Sequence, residues 1–258
     1  MDLGLRDRVF VVTGATRGLG HATAAELVAD GARVVVSSRD AGNVAAAVRE
    51  LGGPAGGTDA PVVGVVADNA DPDTPARLVS AAQERFGRLD GALISVGGPP
   101  PGSVLDTSDD KWRAAFESVF LGAVRVARTV ASGLESGGSL VFVLSSSVRS
   151  PIPGLAISNG LRPGLAMVAK TLADELGPRG VRVNAIAPGR IATERVRELD
   201  LATGDPDAAR ARSQQAIPLR RYGEPAEFGR VAAFLLSPAA SYLTGAMVPV
   251  DGGMLRTI

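Results

Sequence analysis

Short apolar runs of strand length alternate with longer helical patterns along this chain, and this alternation restricts the possible folds more than any other feature. Val9–Thr13 is followed by a helical pattern over Leu19–Ala29. Arg33–Ser37 is likewise followed by one over Asn43–Leu51. Strands that are apolar on both faces, each followed by a helix, are typical of a parallel sheet covered on both sides. We therefore predict a doubly wound α/β fold, with residues 1–258 forming a single domain.

The same alternation continues to the carboxyl-terminal end and predicts the remaining elements. Gly52–Ala60 is a glycine-rich surface turn, and the polar stretch Ile191–Ile217 has the pattern of a solvated helix pair. Further strands are expected at Pro61–Ala67, Leu89–Val96, Ser139–Ser145, Val181–Ala187 and Ala246–Val250, and further helices at Pro75–Phe86, Lys111–Leu134, Leu161–Leu176 and Ala226–Leu236.

The composition argues against several partners and chemistries. Lys plus Arg and Asp plus Glu number 27 each, and such a balance disfavours nucleic acid or an anionic membrane as the main partner. With no Cys and only His21, we expect no metal site, no thiolate catalysis and no Ser-His-Asp triad. Neither a basic-then-apolar leader nor an apolar run of roughly 18 residues is present, so we expect a cytoplasmic protein.

A glycine-rich turn lies between the first predicted strand and the first predicted helix. In this position glycines allow positive φ, close approach of the backbone to a pyrophosphate, and tight packing of helix on strand. The free N–H groups of the helix N-terminus attract phosphate. The turn predicts a dinucleotide site formed by Gly14, Thr16, Arg17, Gly18, Leu19 and Gly20.

This turn and three further motifs resemble those of the short-chain dehydrogenase/reductase family, along essentially the whole chain. Within the family the chain looks most like the β-ketoacyl-acyl-carrier-protein (3-oxoacyl-ACP) reductases. The resemblance implies a Rossmann-like fold and a nicotinamide cofactor. Besides the glycine turn, it implies that Asn69, Gly97, Ile191 and Arg162 contact this cofactor. The matched motif positions are Thr13, Gly14, Gly18 and Gly20; Asp68; Asn184, Pro188, Gly189 and Thr193; and Gly245, Val250, Asp251, Gly252 and Gly253.

The end of the second strand distinguishes the two nicotinamide cofactors. An acidic residue there would accept the ribose hydroxyls of NAD and repel the extra phosphate of NADP. This chain has Ser38 at that position, followed by Arg39, and Arg17 can approach from the glycine turn. Two solvated surface arginines are the simpler explanation. We predict NADPH because the acid is missing and two arginines converge.

The catalytic pattern that the resemblance implies is incomplete. The family uses a Ser to orient the carbonyl, a Tyr four residues before a Lys for proton transfer, and an Asn. Either Ser145 or Ser146 matches the serine, whereas Ser158 stands at the Tyr position and Arg162 at the Lys position. Val119 aligns with the Asn. We predict a non-standard proton-transfer site formed by these serines and Arg162.

Residues elsewhere in the chain do not restore the missing pair. The only tyrosines, Tyr222 and Tyr242, lie far downstream, and we expect them to pack or to line the cleft. His21 has a suitable unperturbed pKa of about 6.5 but follows Gly20 near the pyrophosphate, so a surface or packing role is expected. The only lysines are Lys111 and Lys170.

Two functions remain open at this point. The first is an NADPH-dependent oxidoreductase acting on a small carbonyl compound or an acyl thioester. The second is an NADP(H)-binding sensor, regulatory or assembly subunit without turnover. The fold also carries halohydrin dehalogenases with a Ser-Tyr-Arg set, but those lose the glycine pattern and keep the Tyr. The loop from Gly97 to Gly102 either lines a substrate cleft or ends the fourth strand.

Apolar residues on the helices Trp112–Leu134 and Leu161–Leu176 extend over more than one stripe. Faces beyond the one that covers the sheet need another partner. The family pairs these helices, so we expect a homodimer or homotetramer. The residues concerned include Val119, Phe120, Val124, Val126, Leu165, Met167 and Val168.

Overall fold

Seven parallel strands form one sheet, as the sequence pattern predicts, and their order in the sheet is β3-β2-β1-β4-β5-β6-β7. The computed structural model describes residues 2–52 and 60–256, so most of the predicted turn Gly52–Ala60 lies outside the described residues. The strands are β1 Val9–Val12, β2 Arg33–Ser38, β3 Val62–Val66, β4 Gly91–Ile94, β5 Ser139–Val143, β6 Arg182–Pro188 and β7 Met247–Val250.

Helices connect the strands and cover both faces of the sheet. The described helices are α1 Gly18–Ala29, α2 Ala41–Glu50, α3 Thr74–Phe86, α4 Asp109–Ala115, α5 Gly122–Gly133, α6 Ala156–Leu176, α7 Glu194–Leu201, α8 Pro206–Ala216 and α9 Pro225–Leu236. In the described ranges, no helix combines the length and apolar character needed to cross a membrane.

Two apolar layers, one on each face, form the core. Because successive strand residues point to opposite faces, Val9 and Val11 of β1 join one layer, whereas Phe10 and Val12 join the other. The first layer includes buried residues of α3, α5 and α6, and the second includes buried residues of α1 and α9. This burial on both faces explains why the strands are almost continuously apolar.

Two helix boundaries differ from the prediction. The single helix expected over Lys111–Leu134 is divided into α4 and α5 by a π-helical segment, Phe116–Leu121. Apolar periodicity does not reveal one extra residue in a turn. The helix expected near Leu161 begins earlier, at Ala156, so that Pro163 lies inside it. The backbone N–H of Ala156 donates to the Gly102 carbonyl at 3.1 Å, which ties this earlier start to the loop after β4.

The connections reverse direction between β1 and β4, which are neighbours in the centre of the sheet. A crevice forms at the carboxyl edge of such a switch point because the two following loops diverge. Thr13 and Ser95 lie there, directly after the two strands. The Thr13 hydroxyl donates to the Ser95 carbonyl at 2.7 Å and accepts from the Ser95 N–H at 2.9 Å. These bonds fix the floor of the crevice.

Candidate functional site

A cleft at this carboxyl edge consists of two adjoining cavities. The first, here called the α7-side cavity, has a volume of about 430 Å³ and extends from the glycine turn to the starts of α6 and α7. The second, the α4-side cavity, has about 480 Å³ and extends from the glycine turn to the end of β2 and to α4. They share Gly14, Arg17 and Arg39 and the loop from Ser95 to Pro99.

The structure places all the sequence-predicted site residues in the walls of this cleft. Those in the α7-side cavity extend from the glycine turn to the starts of α6 and α7, and those in the α4-side cavity include the end of β2 and the turn after β3. The first set is Gly18, Leu19, Gly20, Ser145, Ser146, Ser158, Arg162, Pro188, Gly189, Ile191 and Thr193; the second is Thr16, Ser38, Asp68 and Asn69; Gly14, Arg17, Arg39 and Gly97 line both.

Close backbone approaches require the glycines of the first turn. Gly14 and Gly18 have φ of 59° and 58°, in the region that disfavours side chains. A Cβ at Gly20 would lie 2.4 Å from the Gly14 carbonyl oxygen. The turn therefore closes on itself so tightly that only glycine fits, and its backbone faces the cleft.

The first turn of α1 is suited to an anion. Arg17 precedes the helix without a side-chain cap, and the first turn holds no acidic residue. The first N–H groups of a helix have no partner within the helix and carry partial positive charge. Since the first turn of α1 borders the cleft, its N–H groups are suited to bind the pyrophosphate of a dinucleotide.

The far end of the α4-side cavity holds the residues predicted to select the cofactor. Ser38 is half-buried at the end of β2, and Arg39 is exposed beside it, with no partner among the described residues. Asp68 accepts a hydrogen bond from the Ala70 N–H at 3.0 Å. This bond orders the turn after β3 and leaves the second carboxylate oxygen without a described protein donor.

The structure pairs Arg17 differently from the prediction. Its guanidinium lies 2.7 Å from Glu194 and 3.8 Å from Glu198, both on α7, instead of pointing with Arg39 at a common phosphate position. Both partners are largely exposed, and such ion pairs contribute at most about 1 kcal/mol. Glu194 lies 177 positions from Arg17, so local sequence gave no sign of the pair.

Arg195 extends the contact of α7 across the cleft. Its guanidinium donates to the Pro99 carbonyl at 2.7 Å, and a Cβ at Gly98 would lie 2.7 Å from its Nε. The loop beginning at Gly97 is therefore part of the cleft wall, in agreement with the first of its two predicted roles. With the Arg17 pair, this contact fastens α7 over the α7-side cavity from two sides.

The predicted serines come together at the start of α6. Ser145 is half-buried and accepts from the Ser147 N–H at 3.1 Å, while Ser146 is buried. Ser158, in the first turn of α6, lies 3.4 Å from Ser147, Oγ to Oγ. Ser147 was not among the predicted site residues, although the run of three serines after β5 was a signal that more than one could reach the site.

Arg162 lies one turn beyond Ser158, and its side chain is buried. Its Nη1 donates to the carbonyls of Val143 at 2.9 Å and Leu144 at 3.0 Å, at the carboxyl end of β5. Burial, and to a smaller extent the Arg195 guanidinium, lowers the pKa of Arg162 to about 10. The group therefore keeps its positive charge at neutral pH and does not act as a proton donor.

The segment aligned with the family's asparagine is the π-helical one. Val119 is buried there and lines the α4-side cavity, so it contributes an apolar surface and no hydrogen bond. Asn184 of the family motif has a structural role, because its amide donates to the Leu243 carbonyl at 2.8 Å and accepts from the Ala246 N–H at 3.1 Å.

Neither tyrosine lines the cleft. The buried Tyr222 hydroxyl donates to Asp200 at 3.0 Å, and burial raises the Tyr222 pKa, which agrees with the predicted packing role. The prediction was wrong for Tyr242, which is fully exposed. His21 has its Nε2 3.3 Å from a Glu50 carboxylate oxygen at the end of α2, outside both cavities, as expected for a surface or packing role.

In the closing motif, the Asp251 side chain stabilises the turn after β7. The Asp251 carboxylate accepts from the N–H groups of Gly253 and Leu255, each at 2.8 Å. A Cβ at Gly189 would lie 2.6 Å from the Asp251 Cβ, so these two motifs pack directly on each other. The turn brings Met254 into the wall of the α7-side cavity, a contact that the sequence analysis did not identify.

Comparisons with known proteins agree with this architecture. The family model described as enoyl-(acyl carrier protein) reductase matches residues 14–255. Human dehydrogenase/reductase SDR family member 4 is 36% identical over 253 residues, covering 96% of this chain and 88% of the human one. The 3-oxoacyl-[acyl-carrier-protein] reductase of a Synechocystis strain is 34% identical over 258 residues, covering 97% and 98% of the two chains.

A solved structure matches over the full length. The crystal structure of L-sorbose reductase from Gluconobacter frateurii, complexed with NADPH and L-sorbose, covers 100% of both chains with a TM-score of 0.91 and 30% identity. Within the described part of this chain, no group of three or more His, Asp or Glu side chains is arranged to hold a metal ion.

Proposed function

Because the chain belongs to the short-chain dehydrogenase/reductase family, we propose that it is an NADP(H)-dependent oxidoreductase that interconverts a carbonyl and a hydroxyl group. The observation that carries the proposal is the glycine turn. It presents uncapped N–H groups and an acid-free helix start to a cleft of two adjoining cavities, which extend from this turn to the end of β2 on one side and to the starts of α6 and α7 on the other.

The choice of NADP(H) rests on the end of β2. Ser38 stands where an acid would select NAD, and Arg39 beside it is available for a 2′-phosphate. A charge-assisted hydrogen bond of this kind contributes about 1.5–3 kcal/mol. The matched L-sorbose reductase structure contains NADPH, in line with this choice.

The α7-side cavity supplies the groups for the reaction at the substrate. The nicotinamide, when bound, supplies or accepts the hydride. Ser158 and either Ser145 or Ser146 would hydrogen-bond the carbonyl oxygen, and Arg162 would offset the negative charge that develops there. Water would bring the proton, since neither a phenol nor an ammonium lines this cavity. The substrate is a small carbonyl compound, with a 3-oxoacyl thioester as one candidate on the likeness to the Synechocystis enzyme.

The absence of a Tyr-Lys pair supports a second candidate function. A protein that binds NADP(H) as a sensor, regulatory or assembly subunit needs the glycine turn but not the proton donor. Consumption of NADPH with a panel of ketones and β-ketoacyl thioesters separates the two. Turnover supports the oxidoreductase, and binding without turnover of any member supports the second function.

Cofactor choice is tested by thermal unfolding with NADPH and NADH at equal concentration. We expect NADPH to raise the melting temperature more, because Arg39 meets the 2′-phosphate. Ser38→Asp should weaken NADPH binding by about 10- to 100-fold, the equivalent of one charge-assisted hydrogen bond. Ser38→Asn keeps the size without the charge and is the control. Equal shifts with both cofactors, or a larger one with NADH, would contradict the assignment.

The proposal includes a homodimer or homotetramer in the cytoplasm. Met167 on α6 and Phe116 in the π-helical segment are 66% and 45% exposed, which supports an apolar contact with another copy. Val119, Val126 and Leu165, predicted to share this face, are instead buried in the chain's own structure. Light scattering at micromolar concentration should report a dimer or tetramer, and a 26 kDa particle would refute the assembly.

A further inference from the structure

Arg162 carries a buried positive charge for which the described residues provide no carboxylate partner. Its side chain is 6% exposed, and its recorded hydrogen bonds go to two neutral backbone carbonyls. Burying an unpaired charge is costly, and burial accordingly lowers the Arg162 pKa. A buried cation of this kind at the wall of an open cavity is suited to an anion that arrives from the cavity.

Most donors of this guanidinium are also unused. A guanidinium has five N–H donors in a rigid fork, and both protein bonds here are made by Nη1. Nε and Nη2 have no acceptor among the described residues, while the side chain borders the α7-side cavity. A carboxylate is the group whose geometry matches two such donors at once.

The other arginines of this cavity are paired or lie near the predicted phosphates. Arg195 raises the local positive potential, since its charge lies close enough to disfavour that of Arg162. Arg39 lies at the cofactor-selecting end. The three remaining arginines of the cavity each have a carboxylate partner: Arg17 with Glu194 at 2.7 Å, Arg190 with Asp200 at 3.1 Å, and Arg195 with Glu198 at 3.5 Å.

We propose that the substrate carries its own carboxylate, which binds to Arg162; this inference rests on the proposed function. Ribose hydroxyls of the cofactor are neutral and would leave the charge uncompensated. Ser158 and Arg162 lie four residues apart on one helix, where neighbouring Cβ atoms are about 6 Å apart. A carboxylate on Arg162 with the carbonyl oxygen at Ser158 fits a 2-oxo or 3-oxo acid.

Reduction of such an acid would consume one NADPH and one proton. With NADPH bound, the carbonyl carbon would accept its hydride, the carbonyl π bond would break toward oxygen, and the oxygen would take a proton from water to give a hydroxy acid and NADP⁺, with the hydroxide that is left neutralised by bulk solvent. The carboxylate is unchanged throughout. Arg162 then holds the carboxylate and stays protonated, so the charge that develops on the carbonyl oxygen is stabilised by the hydrogen bonds of the serines and not by Arg162.

Binding of non-reducible analogues tests this inference. Oxamate and malonamate place an amide carbonyl one and two carbons from the carboxylate carbon, respectively, and their ethyl esters lack the charge. Calorimetry and thermal unfolding should be run on the free protein and on the protein with NADPH. We expect at least one of the two carboxylates to bind about 10- to 100-fold more tightly than its ester. Equal binding of acid and ester, or no binding of either acid, would overturn the inference.

Variants identify the residue responsible. Arg162→Gln should remove the preference for the carboxylate. Because loss of the bonds to Val143 and Leu144 can unfold this variant, Arg195→Gln provides a second measurement at a less buried position. It should weaken binding of the preferred carboxylate several-fold, whereas Arg197→Gln, exposed on the same helix and outside both cavities, should change it less than twofold. Equal effects of the two α7 variants would count against the site.

Failure of this inference is distinguishable from failure of the proposed function. NADPH binding is measured separately by its fluorescence. Binding of NADPH without a preference for carboxylates removes the inference and keeps the oxidoreductase. No NADPH binding removes the proposed function, and the carboxylate titration on the free protein then still decides whether Arg162 holds an anion.

Discussion

The glycine turn before α1 and the first turns of α6 both line the α7-side cavity, but they match the family pattern to different degrees. At the glycine turn, residue type and backbone conformation agree, with positive φ at Gly14 and Gly18. At the start of α6, Ser158 and Arg162 stand where the family resemblance implies a Tyr and a Lys. We therefore propose that the cofactor side of the cleft is complete and the proton-transfer side is altered.

This difference follows from how each region works. We propose that backbone N–H groups hold phosphate at the turn. A side chain at Gly20 would meet the Gly14 carbonyl and would therefore disturb this binding surface. At α6 the proposed chemistry depends on side chains in the cavity wall. Among the described residues, the Ser158 hydroxyl has only a 3.4 Å contact with Ser147, so the fold restricts this side chain less than it restricts Gly20, whereas Arg162 is also held by its bonds to the carbonyls of Val143 and Leu144.

The largest effect is expected from restoring a Tyr and a Lys on the proton-transfer side of the cleft. Ser158→Tyr with Arg162→Lys should raise turnover of β-ketoacyl thioesters by about 10²–10⁴-fold, the usual contribution of side-chain general acid catalysis. A nearby ammonium lowers the pKa of a phenol toward a useful range. Steady-state NADPH consumption measures the gain. Ser158→Tyr alone should help little, since Arg162 keeps its fixed, bulkier cation.

The matched control is Ser158→Phe with Arg162→Lys, which has the ring and the ammonium but no hydroxyl. It should show none of the gain. NADPH affinity should change far less than turnover in both double variants, since the glycine turn and the end of β2 are untouched and Arg162→Lys keeps a cation at the one altered position that is predicted to contact the cofactor. A control as active as the tyrosine variant would show that shape, and not proton transfer, limits the rate.

An intermediate effect is expected from disturbing the glycine turn on the cofactor side of the cleft. Gly20→Ala places a Cβ against the Gly14 carbonyl, and forced overpacking of this kind costs about 1–3 kcal/mol. NADPH affinity should fall by about 10- to 100-fold in a fluorescence titration. Gly133→Ala adds the same methyl where no atom lies within 4 Å and should leave affinity unchanged. Equal affinities in the two variants would contradict the tight turn.

The smallest effect is expected from breaking the ion pair between Arg17 of the glycine turn and Glu194 of α7. Glu194→Gln removes the main partner of Arg17, so Arg17 should become more available to cofactor phosphate. Because exposed pairs contribute at most about 1 kcal/mol, NADPH affinity should rise by no more than about fivefold at low salt and by less at high salt. Glu175→Gln, exposed on α6 outside both cavities, makes the same charge change. Weaker NADPH binding in Glu194→Gln than in this control would contradict the competition.

Much of the fold could be predicted from sequence because strand burial on both faces leaves an apolar run that local patterns reveal. The order of elements was therefore predictable, and so was the position of the glycine turn. The π-helical segment Phe116–Leu121 was not, since one additional residue per turn hardly changes the apolar spacing. The early start of α6 depends on a bond from Ala156 to Gly102, which is distant in sequence.

For the site, the residues were predictable but their partners were not. Motif spacing located Ser145, Ser158 and Arg162 on the cleft wall. Which groups they contact depends on tertiary placement, as with the carbonyls bonded to Arg162 and the pairing of Arg17 with Glu194. Such pairings join segments far apart in the chain, so they leave no local pattern.

The central claim is that the cofactor side is complete while proton transfer is impaired, and one paired measurement on the unmodified protein tests it. NADPH binding is titrated by fluorescence, and NADPH consumption is followed in the same sample with a saturating amount of the best substrate among ketones, 2-oxo and 3-oxo acids and β-ketoacyl thioesters. We predict saturable NADPH binding with turnover about 10²–10⁴-fold below the roughly 10 s⁻¹ typical of enzymes. Tens of turnovers per second would contradict it, because the proton would then reach the substrate efficiently without a tyrosine.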